Sequence, residues 1–392
     1  MSYSVVINEK GNVAIDDTLL VKDVPSTAGS KIMEGFKPLF SAEVVDRLAA
    51  NGYVVSGKTN VGEFGLDLAG EFSYYAPAKD VICGDAASLV ANGDVKAAIA
   101  VDMNGAPRRA AALSDVVFVK PTYGTVSRYG VISCAASGET VGVYAPDVTS
   151  AASVLGTIAG HDDKDGTSLP EKAYSYDVNA DVKGQKVAVV KELLALCDDE
   201  TKARVEAVAD RLKKAGVQVE EISCDIFETA NTAWQILMCA ETCNNVSRYD
   251  GVKFGHRAEH YRNIDELYTN SRTEGFNFLT KAVILYGSDV LSKSRYADCY
   301  DKSLRIRRIT ADTFKTLFAS YAAVLTPVCS KTQFKAYDIA DAFETVYRES
   351  VFTAAASLIG APAVVCDGVQ LMGDAFSESR LFSLANAQGK EK

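Results

Sequence analysis

The sequence lacks the segments and motifs that identify several large classes of protein. No apolar run approaches the length of a bilayer-spanning helix, and the N-terminal stretch does not have the layout of a signal peptide. The nine cysteines include no CxxC pair, and only three histidines are present. We therefore expect no membrane span, no metal, no cofactor and free thiols in a reducing, cytoplasmic setting.

The chain has instead the composition of a globular protein. Its 392 residues are 48% hydrophobic with a mean hydropathy of +0.02, which is enough to bury a large core. The formal net charge of -10 opposes direct binding to a nucleic-acid backbone. The P-loop, GxGxxG, HExxH and GxSxG motifs are absent. Composition and generic motifs thus predict a folded protein and assign it no reaction.

Strand-like and helix-like patterns alternate along the chain. Residues 185–191, QKVAVVK, have the pattern of a strand, and Val205, Val208 and Leu212 then form one apolar stripe of a helix that Gly216 ends. The following VQVEEI is again strand-like. This order predicts a βαβ unit within an α/β fold, a mixed twisted sheet with helices on both faces.

A long polar stretch at residues 160–184 is the best candidate for a linker. Strand patterns resume after it, so we interpret it as a surface connection and residues 1–392 as a single domain. Near the C-terminus, residues 348–360 are helix-like, and APAVVCDGVQLMG after them predicts two further strands.

The stretch VDMNGAPRR, residues 101–109, has the pattern of a turn that presents a bound group. An Asn-Gly pair tolerates positive φ and brings backbone N–H groups close to a ligand. The residue after the turn, where a nucleophile would sit, is Ala106.

Longer motifs resemble a known family. SGKTNVGEFG, KPTYGTVSRYGV and IAGHDDKDGTS are similar to segments of the amidase signature family, whose members cleave amides with a serine–serine–lysine triad. RYDGVKFGHR at 248–257 and YTNSRTEGF at 268–276 resemble one branch of it, the A subunits of tRNA-dependent glutamine amidotransferases. The resemblance implies the amidase-signature fold, without most of the family's N-terminal helical segment. It also implies ammonia release from glutamine for a partner protein.

The family's triad can be placed on this chain position by position. The lysine motif matches VKD and implies Lys22; the bridging serine falls at Ile82 in DVICGDA; the nucleophilic serine falls at Ala106 in VDMNGAPRRAA. Neither Ile82 nor Ala106 has a hydroxyl. The chain therefore lacks both the oxygen that would attack the amide and the hydroxyl that would relay the proton. We therefore predict a catalytically degenerate member with a binding, scaffold or regulatory role. One reading of Lys22 is a buried amine neutralised by desolvation, which is unfavourable unless a carboxylate or hydroxyl receives it. We expect the pocket to be smaller and more apolar than a glutamine site.

The turn itself keeps further positions of the family pattern. Two readings of its Asp102 and Arg108 stay open, an ion pair that holds the loop and a remnant contact to substrate. The resemblance implies that the remnant of the loop and its oxyanion donors comprises Asp102, Met103, Asn104, Gly105 and Arg108.

A second function also stays open. Cys83 follows the bridging position and is the alternative nucleophile of an active amidase or glutaminase with a relocated mechanism. The expected partners are a second copy of the chain or B- and C-like amidotransferase subunits, and the identity of any small ligand is open.

Overall fold

One eleven-stranded mixed sheet runs through the part of the chain that the computed structural model describes, residues 3–387. Its strand order is β1-β3-β2-β5-β7-β6-β12-β13-β10-β8-β9, and β4 pairs separately with β11. The strands are β1 (Tyr3–Val6), β2 (Val13–Asp16), β3 (Val55–Thr59), β4 (Val81–Ile82), β5 (Ala97–Asp102), β6 (Val117–Lys120), β7 (Thr140–Ala145), β8 (Lys186–Val190), β9 (Gln218–Ile222), β10 (Ala323–Pro327), β11 (Phe334–Lys335), β12 (Ala363–Cys366) and β13 (Val369–Met372).

Parallel pairs lie on both sides of an antiparallel centre. β2 is parallel to β3 and β5, and β8 is parallel to β9 and β10. Between these groups, β7, β6, β12 and β13 pair antiparallel with their neighbours. The predicted mixed sheet is confirmed.

Helices connect most of these strands. They are α1 (Glu43–Ala50), α2 (Asp85–Ala91), α3 (Ala106–Leu113), α4 (Val148–Ile158), α5 (Lys191–Ala195), α6 (Asp199–Lys214), α7 (Ile226–Asn245), α8 (Ile264–Gly275), α9 (Phe278–Val290), α10 (Lys302–Ser320), α11 (Ala342–Glu349), α12 (Ala354–Ile359) and α13 (Glu378–Ala387). Short 3-10 turns cover Lys31–Met33, Glu63–Gly65, Val246–Arg248, Ile339–Asp341 and Ser350–Phe352, and one π turn covers Ala297–Asp301.

The two faces of the sheet bury different helices, because successive strand residues point to opposite sides. Ile15 of β2 packs in the core that α1, α4, α6 and α13 cover. Its neighbour Ala14 packs in the core of α2 and α3. Helices therefore lie on both faces, as predicted.

Most of the predicted elements are present. Strands β8 and β9 are parallel, with α6 between them, and Val205, Val208 and Leu212 are buried as expected. The predicted C-terminal helix is divided, because a 3-10 turn at Ser350–Phe352 separates α11 from α12. Residues 160–184 contain neither a helix nor a strand.

None of the helices between residues 3 and 387 has the length and apolar character needed to cross a lipid bilayer.

Candidate functional site

The predicted turn joins β5 to α3. β5 ends at Asp102, and Gly105 has a φ of 88°, a left-handed conformation that favours glycine. α3 begins at Ala106 with Pro107 in its first turn. Because proline has no N–H, this turn offers one donor fewer to a bound oxyanion than another residue would provide.

Arg108 holds the turn against the sheet. Its Nε and Nη2 donate to the Asp102 carboxylate at 2.8 and 3.0 Å, and both side chains are completely buried. Its other donors reach the Thr353 carbonyl, the Gln370 side chain and the Ser357 hydroxyl. All five N–H groups of the guanidinium are therefore used within the protein. Of the two readings, the geometry favours the structural ion pair.

Arg109, which the sequence reasoning did not single out, fixes the same turn from the other side. It is also completely buried and donates to the carbonyls of Leu68 and Asn104 and to the Thr353 hydroxyl. The Asn104 side chain accepts from Trp234 Nε1 at 3.0 Å. No spacing signal could have shown that two adjacent arginines are both internal.

A cavity, here called the inner cavity, opens beside the first turn of α3. Its volume is about 60 Å³, counted as the space open to the centres of water molecules, and this is room for a few waters or one small molecule. Ala106 lines it with a methyl group at the position implied for the nucleophile. The lining residues are Asp16, Thr18, Asn60, Val61, Gly62, Phe64, Gly65, Asp67, Ala69, Gly70, Gly84, Asp85, Ala86, Ala100, Val101, Met103, Ala106, Pro107, Ala110, Ile132, Cys134, Glu139 and Tyr144.

The residue implied for the bridging serine lines a second, more open cavity, here called the outer cavity. Val81 and Ile82 form β4, which pairs with Phe334 and Lys335 of β11, because branched side chains favour extended backbone. Ile82 and Cys83 face the outer cavity, where the centre of a water-sized sphere reaches about 280 Å³. The residues shared by the two cavities are Asn60, Gly70, Gly84 and Asp85.

The structure does not bring Lys22 to either cavity. Its side chain is exposed, and its backbone N–H donates to the Ser41 hydroxyl. Lys58 on β3 is a buried amine, which pairs with Asp17 at 2.8 Å and donates to the Ser26 hydroxyl. Burial lowers the pKa of Lys58, and Asp17 opposes that shift. The reading of Lys22 as a buried amine is therefore wrong, because the spacing of VKD does not show which way its lysine points.

The ionisable group on β2 that lines the inner cavity is a carboxyl group, Asp16. One of its oxygens accepts the Val101 N–H at 2.7 Å, and the other accepts the N–H and the hydroxyl of Thr18. Burial raises the pKa of Asp16, and these hydrogen bonds oppose the shift.

Three more carboxyl groups line the inner cavity. Burial raises the pKa of Asp85 to about 6, and the adjacent Asn60 offsets part of the shift. Burial, followed by the charge of Glu71, raises the pKa of Asp67. Burial also raises the pKa of Glu139. Four carboxyl groups from separate parts of the chain therefore meet in a cavity with many apolar lining residues, and the expectation that it is more apolar than a glutamine site stays a prediction.

The inner cavity also presents hydroxyl and thiol groups. The Thr18 hydroxyl donates to Asp16, and the Cys134 thiol lies 3.2 Å from the Thr242 hydroxyl. Burial raises the pKa of Cys134, which keeps it a thiol. Tyr144 is 3% exposed, and across residues 3–387 no hydrogen bond reaches its hydroxyl.

Cys83, the alternative nucleophile, is half-buried in the wall of the outer cavity. The Ser88 hydroxyl lies 3.2 Å from its sulfur, and the same hydroxyl donates to the Gly84 carbonyl. The structure thus places Ile82, Cys83 and Ala106 around two adjoining cavities and leaves Lys22 outside both.

Known proteins resemble this chain over most of its length. The A subunit of glutamyl-tRNA(Gln) amidotransferase from Halothermothrix orenii is 35% identical, over 95% of this chain and 83% of its own. The protein of the same name from Latilactobacillus sakei is 34% identical, over 94% of this chain and 80% of its own.

Solved structures show the same fold. The protein of that name from Thermotoga maritima superposes with a TM-score of 0.82 at 28% identity, covering 100% of this chain and 87% of its own. Peptide amidase from Stenotrophomonas maltophilia superposes with a TM-score of 0.77 at 22% identity, covering 96% and 82%, which supports the fold alone. The Amidase family model matches residues 12–382. The chain therefore belongs to the amidase signature family.

Proposed function

We propose that this chain is an amidase-family protein that has lost amide hydrolysis and acts by binding a small molecule in the inner cavity. The observation that carries this proposal is the methyl group of Ala106 at the cavity wall, where the family pattern implies a nucleophile. We propose also that residues 1–392 form one domain, since a single sheet runs from β1 to β13.

The chemistry of acyl transfer supports the proposal. A serine–serine–lysine triad needs an attacking oxygen, a relay hydroxyl and an amine that accepts the proton. Ala106 and Ile82 lack the first two, and Lys22 is exposed outside both cavities. The hydroxyl of Thr18 is held by Asp16 in a local turn, which is the ordinary structural use of this pair.

Ammonia release tests the proposal directly. Glutamine, asparagine and simple primary amides are incubated with the full chain, alone and with B- and C-like amidotransferase subunits present. We expect no release above that of a preparation made in parallel without the chain. A reproducible turnover of about one per second, ordinary for an enzyme, in two independent preparations would overturn the loss of activity.

Partner binding is the second element of the proposal. The curated relatives are named as A subunits, and the segment 248–257 that carries the resemblance exposes Val252, Lys253 and Phe254. We propose that the chain associates with B- and C-like subunits. Co-purification with these subunits supports the proposal. A stable homodimer that excludes them, seen by light scattering, would support self-association instead.

An active amidase with a relocated nucleophile is the alternative, and the place of Cys83 in the outer cavity favours it. Labelling with an activated acyl probe, followed by peptide mapping, tests it. Selective labelling of Cys83 that Cys83→Ala abolishes, together with amide turnover, would establish this alternative. Absence of labelling in the native chain would exclude it.

A further inference from the structure

We propose that the inner cavity binds a small organic cation, a primary amine with a short alkyl chain, through Asp85, Asp16 and the hydroxyl of Tyr144. This inference rests on the binding role proposed above and adds the chemical class of the ligand.

The charge of the cavity is the first argument. Asp16, Asp67, Asp85 and Glu139 line it, and none of its lining residues is Lys, Arg or His. Glu139 already contacts Arg128 at 3.3 Å, whereas no Lys or Arg within residues 3–387 forms an ion pair with Asp85. Asp85 is half-buried, and a partly desolvated carboxylate without a counter-charge is stabilised by a cation that enters beside it. A ligand that carries its own carboxylate, as glutamine does, meets repulsion.

Tyr144 supplies an independent second argument. It lies on β7 opposite Ala98 of β5, and its side chain is 3% exposed. Its hydroxyl has no hydrogen-bond partner among the described residues, and burial, followed by the charges of Asp102 and Asp16, raises its pKa. The hydroxyl itself is not sealed off from the inner cavity that Tyr144 lines, so a ligand in the cavity can form the hydrogen bond that the protein does not supply.

The size and the apolar walls of the inner cavity indicate that the proposed ligand has a short alkyl chain. About 60 Å³ admits only a small molecule, and Val61, Phe64, Met103 and Ile132 make part of the lining apolar. Among residues 3–387, no three His, Cys, Asp or Glu side chains are arranged to hold a metal ion. The combination of anionic and apolar walls therefore fits an alkylammonium ion better than a bare cation.

Three small compounds of similar shape but different charge test whether the charge of the ligand determines its binding. Propylammonium, propionamide and propionate are titrated into the full chain by calorimetry at pH 7.5, where Asp85, with its pKa raised to about 6, is ionised. We expect propylammonium to bind, propionamide to bind more weakly and propionate not to bind. Equal binding of propionate and propylammonium, or no binding by any of the three, overturns the inference.

Site variants locate the binding. We expect Asp85→Asn to weaken propylammonium binding at least about tenfold and Tyr144→Phe to weaken it about three- to tenfold. The matched controls are Asp94→Asn, at an exposed carboxylate, and Tyr174→Phe, at a hydroxyl outside both cavities. These controls are expected to bind as the native chain does. Unchanged affinity in both site variants, with native melting behaviour, overturns the assigned site.

The proposed loss of amide hydrolysis and the proposed amine site are tested by different outcomes. Amide hydrolysis by a chain that binds propylammonium would overturn the loss of activity and leave the amine site standing. A chain that neither releases ammonia nor binds propylammonium would overturn the amine site alone.

Discussion

Arg108 and Asp102 form a completely buried ion pair, in which the guanidinium Nε and Nη2 donate to the two carboxylate oxygens at 2.8 and 3.0 Å. The pair joins the end of β5 to the first turn of α3. The backbone turn of the family pattern is therefore maintained by contacts within the protein, without requiring a substrate.

Breaking this ion pair is expected to destabilise the fold. Asp102→Asn and Arg108→Met each leave one buried charge without its partner, which costs about 3–5 kcal/mol. Urea unfolding measures the free energy. The control is Arg308→Met, which removes an exposed Arg308–Asp312 pair and is expected to cost less than about 0.5 kcal/mol. Equal, small effects at the buried and exposed pairs would contradict the structural role.

Gly105→Ala is expected to destabilise the turn. The φ of 88° strains an alanine, and the added Cβ would overlap the Thr353 side chain. Together these effects amount to about 2–4 kcal/mol. Gly93→Ala is the matched control, because Gly93 has a φ of 75° and no atom within 4 Å of the added Cβ. It should cost about 1 kcal/mol. Equal costs at the two positions would show that packing against Thr353 contributes nothing.

Restoring the two serines is expected not to restore glutaminase activity. Ile82→Ser and Ala106→Ser supply hydroxyls, but Lys22 lies outside both cavities, and neither cavity is lined by a lysine that could accept the proton. No cation lines the inner cavity to bind the carboxylate of glutamine. Ammonia release over a range of glutamine concentrations is the measurement, with each single variant as a control. Saturable release by the double variant would mean that the glutamine site is intact.

Lys120 is expected to make stability depend on pH. Burial lowers its pKa from 10.5 to about 7, and its Nζ donates to the Ala361 carbonyl at 3.0 Å. Between these pH values the unfolded chain binds a proton that the folded chain lacks, so this group makes the free energy of unfolding rise with pH. The stability of Lys120→Met relative to the native chain should thus be greatest at pH 6 and smaller at pH 9.

Urea unfolding at both pH values measures this difference. The control is Lys10→Met, at an exposed lysine, whose stability relative to the native chain should not change with pH. A constant difference for Lys120→Met as well would show that Lys120 is not neutralised in the folded protein.

Local sequence patterns predicted many of the elements and the turn. The apolar stripe of α6, the strands β8 and β9, and the Asn-Gly turn before α3 depend on residues close together in the chain, so their spacing is informative. The absence of hydroxyls at positions 82 and 106 is likewise a property of the sequence alone. The assignment of the catalytic roles to these two positions came from the resemblance and stays a prediction.

The character of the cavity was decided by tertiary structure. Of Lys22 and Lys58, only Lys58 is buried, because β3 pairs with β2 and this pairing brings Asp17, the residue after β2, within 2.8 Å of the Lys58 amine. Asp16, Asp85 and Glu139 are separated by long stretches of chain and meet only after the strands have paired. Which distant residues come into contact depends on strand register and loop closure, and the spacing of neighbouring residues predicts neither of them.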